Sequence, residues 1–296
     1  MENRTLMFLH IPKCAGTSLL KHLERDVPLT RIYKNTSIFE NFRYGREEIY
    51  NLSETAIGEL RIVWGHHLHE QMLKIYFSSN TVLLSTILRE PIERFMSHIE
   101  YDVRTCMTRG VAYDIEKAIS DCQNPICNFL IERFPTFAEN GVTLSEKAIN
   151  ILKKFDSVHT IENIGSAIEL FQKFLEIKVD LNVTKENSSD YDLDIGKIVN
   201  FELLRENLKD DIRVYEFFEN QKTTRIDEII LNVEKNTITR LDELSEDLAS
   251  LKSFLVQKVK IEYSSWSVLG KAIEQKLKLI SSVADEIQIL RSDLHN

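Results

Sequence analysis

Residues 6–23 constrain the fold of this chain more than any other stretch. The apolar run Leu6-Met7-Phe8-Leu9 reads as a short buried strand. Pro12 stops it, having no N–H to give to a ladder. Then come Lys13-Cys14-Ala15-Gly16-Thr17-Ser18, a cation followed by small residues and hydroxyls. An amphipathic run, Leu19-Leu20-Lys21-His22-Leu23, opens a helix over about 16–25. The order is strand, tight loop, helix. Such a loop presents backbone N–H groups at a helix N-terminus, where an anion is favoured. Lys13 adds a point charge, and Thr17 and Ser18 add hydroxyl donors. The residues read either as an anion cradle or as an ordinary strand-to-helix turn capped by Thr17 or Ser18.

The loop is not a Walker A sequence, which needs Lys directly before Ser or Thr. Here Lys13 precedes the small residues. A second signal lies at Leu88-Arg89-Glu90-Pro91-Ile92-Glu93-Arg94-Phe95-Met96-Ser97-His98. It follows the apolar strand 81–88, and Pro91 suits the first turn of a helix. Arg89 leaves that strand at the sheet edge where open α/β sheets bind ligands. Ser97 stands eight residues on, about two helical turns. A guanidinium and a hydroxyl converging there would hold a second anion. The alternative is an Arg89–Glu93 ion pair with Ser97 as a surface residue.

Further strands are expected at 61–67 (Arg61-Ile62-Val63-Trp64-Gly65-His66-His67) and around 156–161, with loops and one short helix across 31–50. Helices are expected near 53–60, from 91 to 101, and at about 113–119, 124–133, 145–154, 163–177, 195–206 and 208–219. Ser53 reads as the N-cap of the 53–60 helix. Strands alternating with helices imply a parallel sheet of the α/β class. From residue 223 the texture changes. Leu241, Leu244, Leu248, Leu251 and Leu255 follow heptad spacing, as do Trp266, Leu269, Ile273, Ile280, Val283, Ile287, Leu290 and Leu294. The chain therefore divides into an α/β domain, 1–222, and a long-helix region, 223–296. The latter reads as a coiled-coil hairpin or a stalk for homo-oligomers, or as amphipathic helices folded back on the domain.

A length of 296 residues with 43% hydrophobic content supplies a sizeable core. The net charge of −9 is unevenly placed. Residues 1–110 carry 14 Lys+Arg against 13 Asp+Glu, which leaves 23 and 33 for the rest. A basic footprint for duplex nucleic acid is absent from the pattern. No run of about 20 apolar residues suggests a membrane span, and no leader pattern opens the chain, so a cytoplasmic protein is expected. The four cysteines, Cys14, Cys106, Cys122 and Cys127, form no CxxC pair, so no metal site is expected. They read as reduced thiols, although a disulfide involving Cys122, Cys127 or Cys106 fits the spacing.

Taken together, the segments resemble the carbohydrate sulfotransferases, in particular the heparan-sulfate 2-O-sulfotransferase-like group and its bacterial members. His10 to Leu19 resembles the family's 5′-phosphosulfate loop, and Leu88 to His98 its 3′-phosphate motif. Fainter likeness extends over about 5–220. The resemblance implies a P-loop-NTPase-like three-layer fold with a central parallel sheet. It implies 3′-phosphoadenosine 5′-phosphosulfate (PAPS) as donor, without a metal, and a hydroxyl of a glycan or glycolipid as acceptor. The donor site would comprise Lys13, Cys14, Ala15, Gly16, Thr17, Ser18, Arg89 and Ser97, with Lys13 also catalytic. Gly65-His66 resembles the family segment that supplies the base, which makes His66 the first candidate and Glu70 the second. His67 and His69 lie beside them. Glu162 and Lys185 fall in segments that resemble a late strand turn and a nucleotide-closing loop. Cys14 departs from the Thr or Ser common in the family, and Glu90 from Asp. Two other readings stand beside this one: a P-loop-type kinase or NTPase, and a coiled-coil scaffold carrying a degenerate sulfotransferase domain.

Overall fold

The computed structural model describes residues 4–35, 57–77, 80–177, 199–221, 225–237 and 239. Five strands form one sheet: β1 (Arg4–Leu9), β2 (Ile32–Asn35), β3 (Ile62–Gly65), β4 (Thr81–Leu88) and β5 (Ser157–Thr160). Their order is β2-β3-β1-β4-β5, and every pairing is parallel. The helices of the described residues are α1 (Gly16–Leu23), α2 (Glu70–Phe77), α3 (Pro91–Thr108), α4 (Ile115–Asp121), α5 (Pro125–Arg133), α6 (Leu144–Leu152), α7 (Ile164–Leu175), α8 (Phe201–Asn207) and α9 (Lys209–Glu219). Residues 226–237 are also helical.

Strand periodicity divides the core into two layers. Leu6, Phe8, Ile62, Trp64, Leu83 and Ile87 face α1 and α7. Met7, Leu9, Val63, Val82, Leu84 and Leu88 face α2, α5, α6 and α9. Both faces of the sheet are thus covered, which makes a three-layer α/β/α architecture. Phe8 and Trp64 are register partners on β1 and β3, and their rings stack at 3.8 Å. A smaller apolar cluster joins Phe95 and Ile99 of α3 to Ile119 of α4 and Leu204 of α8. Ile229 and Val233 of the 226–237 stretch pack into the α1/α7 layer, and Arg4 bonds Glu234 at 2.8 Å.

The sheet and most helices match the sequence expectation, with four differences. The helix expected over 195–206 begins only after its N-cap Asn200, as α8. Loops and one short helix are expected across 31–50, but residues 32–35 form β2. Its four residues, Ile-Tyr-Lys-Asn, are too few for periodicity to register, and it lies at the sheet edge. α2 occupies a stretch for which the sequence suggests no helix. α3 runs on to Thr108, beyond the expected end near Tyr101. The heptad-patterned stretch from 241, Ser53 with its proposed cap, and the 182–185 loop lie outside the described residues.

α5 and α9 are joined by reciprocal caps. Asn124, in the left-handed region at φ 41°, precedes Pro125. Its Oδ1 accepts from the backbone N–H of Asp210 (2.9 Å) and Asp211 (3.2 Å) at the start of α9. Asp211, fully buried, returns the contact by accepting from the N–H of Ile126 (2.9 Å) and Cys127 (2.8 Å). Asp211→Ala orphans two buried donors, so a loss of about 2–4 kcal/mol is expected in urea unfolding at pH 7. Asp211→Asn, which keeps one acceptor, should lose less. A loss from Asp211→Ala below about 0.5 kcal/mol, typical of a surface substitution, would contradict the capping account.

Candidate functional site

The chain leaves β1 toward β2 on one side of the sheet and leaves β4 toward β5 on the other. The carboxyl ends of β1 and β4 therefore flank a topological switch point, where open α/β sheets bind ligands. Three adjacent strands, β3, β1 and β4, deliver His66, the 10–18 loop and Arg89 to this edge. Thr86 pairs with Leu9, and its hydroxyl donates to the Leu9 carbonyl at 2.8 Å. β4 then continues two residues beyond that level. Arg89 consequently stands beside the loop rather than beneath it.

Ile11 and Cys14 anchor the loop in the core. Lys13 and Ala15 both lie in the left-handed region, at φ 70° and 58°. That conformation costs a non-glycine residue roughly 1–2 kcal/mol. Ala15 is the N-cap of α1, and no side chain caps this helix. Its first-turn N–H groups therefore lack the capping acceptor that Thr17 or Ser18 would supply in an ordinary turn. Gly16 is required here, because a Cβ would lie 2.0 Å from Cδ2 of His10. Thr17 is exposed and Ser18 half-buried. Cys14 behaves differently from these neighbours. Its side chain is buried, and its N–H donates to the Ile11 carbonyl at 3.3 Å. Burial pushes its thiol up to about 12.

One face of α3 closes on this loop. Arg94 Nη1 donates to the Pro12 carbonyl at 3.2 Å, and Lys13 Nζ lies 3.5 Å from the centroid of the Tyr101 ring. Arg94 and Tyr101 are seven residues apart, and Ser97 lies on the same helical stripe between them. Arg89 Nη1 reaches the Lys13 carbonyl and Arg89 Nε reaches Glu93 Oε2, each at 3.5 Å. The guanidinium thus spans the loop and the first turn of α3. Partial burial lowers the pKa of Lys13.

His66 immediately follows β3. Its Nδ1 lies 2.5 Å from the His10 carbonyl. A carbonyl only accepts, so Nδ1 carries the proton and Nε2 keeps a lone pair. The imidazole stacks on the His10 ring at 4.3 Å. Arg133 Nε, from the end of α5, donates to the His66 carbonyl at 2.5 Å. Burial pulls His66 below its ordinary value, the bond to His10 opposes that, and the Arg133 charge adds to it. His10 is held down to about 3, chiefly by burial and then by His66 and Lys13.

Other candidates have structural employment. Glu70 Oε1 accepts from the N–H of Thr136 (2.7 Å) and Phe137 (3.1 Å). Glu162 Oε2 accepts from the Tyr215 hydroxyl at 2.9 Å. His67 follows His66 beyond the end of β3 at Gly65. His69 lies just before α2, and Lys185 is outside the described residues. The sequence marks no role for Arg94, Tyr101 or Arg133. The helical spacing from Ser97 could have found the first two; nothing local marks Arg133.

No family model matches the chain, and no curated protein matches its sequence. Solved structures that resemble it include two sulfotransferases. One is the mouse sulfotransferase SULT7A1 complexed with PAP, 16% identical, with a TM-score of 0.34 and 60% of each chain covered. The other is a sulfotransferase from Alicyclobacillus acidocaldarius, 15% identical, with a TM-score of 0.40, covering 75% of this chain and 98% of that one. Among the described residues no helix is long and apolar enough to cross a membrane.

The depressed His10 and His66 give a pH signature. Above the unfolded value of about 6.5 both folded and unfolded states hold them neutral. As pH falls below it, the unfolded chain binds protons that the folded state resists, so stability declines from about pH 6.5 downward. Histidine NMR titration should place the His66 midpoint below that of a free imidazole and leave His10 neutral at pH 5. A His66 midpoint above 6.5 would contradict the geometry.

Proposed function

We propose that this chain is a sulfotransferase that moves a sulfuryl group from PAPS to a hydroxyl of a glycan or glycolipid. The observation that carries the reading is the meeting of two anion-binding motifs at one sheet edge, with Arg89 in contact with the Lys13 carbonyl. The residues present fit the donor. The uncapped start of α1 offers N–H groups, and the Thr17 and Ser18 hydroxyls stand beside them. Together with Ala15 and Gly16 they would hold the 5′-phosphosulfate end. Arg89 and Ser97 would hold the 3′-phosphate and so favour PAPS over ATP.

Sulfuryl transfer is governed by positioning and electrostatics, as phosphoryl transfer is. The acceptor oxygen attacks sulfur in line, and the bond from sulfur to the 5′-phosphate oxygen breaks. Lys13, on leaving Tyr101, would stabilise the charge that collects on that oxygen. His66 would take the acceptor proton on Nε2. Its proton on Nδ1 and its lowered pKa support this, because a base must be neutral at working pH. Glu70 is the weaker candidate, since the 136–137 backbone already occupies its carboxylate.

Adenosine 3′,5′-bisphosphate (PAP) at millimolar concentration should raise the melting temperature, and ATP with Mg²⁺ should not. Absence of a PAP effect sinks the reading; stabilisation by ATP with Mg²⁺ alone would favour a kinase or NTPase. His66→Ala should keep the PAP shift while transfer of label from PAPS to a glycan acceptor falls at least about a hundredfold. Near-normal turnover would remove His66 from the role.

A further inference from the structure

Arg94 is buried, at 6% exposure, one turn into α3. No ion pair to a carboxylate joins it among the described residues, although its field reaches Asp211. Its Nε is buried without a hydrogen-bond partner. Burying a guanidinium under those terms is costly, and an apolar side chain of similar length would fill the space without that cost. The polar contact it does make is specific: Nη1 donates to the Pro12 carbonyl at 3.2 Å. The next carbonyl along, that of Lys13, is the one Arg89 reaches. Two successive peptide units of the loop are therefore held, one from the first turn of α3 and one from the residue just before its N-cap.

That placement has a consequence for the loop. A trans peptide is planar, with C=O and N–H pointing opposite ways, so fixing the Pro12 carbonyl fixes the direction of the Lys13 N–H. It also holds the entry to the left-handed turn at Lys13. Arg94 lies three residues before Ser97 on the same helical stripe. It thus connects the helix that carries Ser97 to the loop that carries Lys13.

We infer that Arg94 is a positioning residue that sets the separation between the two anion-binding motifs, so that the 5′- and 3′-phosphate groups of one nucleotide are bound as a unit. The inference rests on the donor reading given above. When two subsites are held at a fixed distance, the second phosphate binds intramolecularly at high effective concentration. Loosening the distance removes that advantage and leaves each subsite intact. Lysine is a poor substitute, since its Nζ falls one bond short of the Nη1 that makes this contact and its ammonium is more strongly hydrated.

The test compares PAP with 5′-AMP, which carries only the 5′-phosphate, by calorimetric titration of the full chain. Wild type should bind PAP at least about a hundredfold more tightly than 5′-AMP. In Arg94→Met the 5′-AMP affinity should stay within about threefold of wild type, while PAP weakens by about tenfold or more. Arg94→Lys, which keeps the charge but not the reach of Nη1, should behave in the same way and serves where the methionine variant fails to fold. Melting temperatures show whether the variants are folded. A PAP-to-AMP preference unchanged in folded Arg94→Lys overturns this inference alone. Parallel weakening of both nucleotides also overturns it, because that is the mark of general damage. A wild-type protein that binds PAP no better than 5′-AMP overturns the donor reading, and this inference with it.

Discussion

The double ladder of β1 is the constraint on which the rest depends. β1 pairs in parallel with β3 on one side and with β4 on the other. Leu9 is level with Gly65 and with Thr86, and the His10 N–H extends the pairing by donating to the Gly65 carbonyl at 3.0 Å. His10, His66 and the approach to Arg89 are therefore set by backbone hydrogen bonds rather than by loop packing. A slip of one residue would turn each inward side chain to the opposite layer. Because both faces are buried, such a slip would move Leu6 and Phe8 into the space of Met7 and Leu9. The apolar core thus fixes the chemical edge.

Above that edge, the loop is held in a conformation its residues do not favour. Lys13 and Ala15 adopt left-handed angles without being glycine. The surroundings over-determine them: Ile11 and Cys14 are fixed in the core below, and Arg89 and Arg94 grip two carbonyls from the side. The N–H groups at the head of α1 are in place before any ligand arrives. Preorganisation of this kind spares the reorganisation cost of binding or reaction.

What could be read from the sequence was local. The apolar runs of β1 and β4 marked central strands, Pro12 and Pro91 marked where elements stop and start, and Lys13, Ser18, Arg89 and Ser97 stood out by residue type and spacing. What could not be read depended on distant partners. Arg94 sits beside Glu93 in a charged stretch where nothing local marks it for burial, yet it is buried. Arg133 lies 67 residues from the carbonyl it holds. Glu70 looks like a spare base beside three histidines until residues 136 and 137 fold onto it. β2 had too few residues to show a period.

The reciprocal caps of α5 and α9 bear on how the edge can move. Asp211 clamps the head of α5, and Arg133 at its tail holds the backbone of His66. Between them Ile126, Cys127 and Leu130 are buried in the layer that also contains Val63 and Leu84. α5 behaves as a rigid rod with one end in the core and the other at the chemistry. The backbone at His66 is thus held from a helix whose other end is fixed in one face of the sheet. Order at His66 is therefore tied to the packing of α5 as well as to β3.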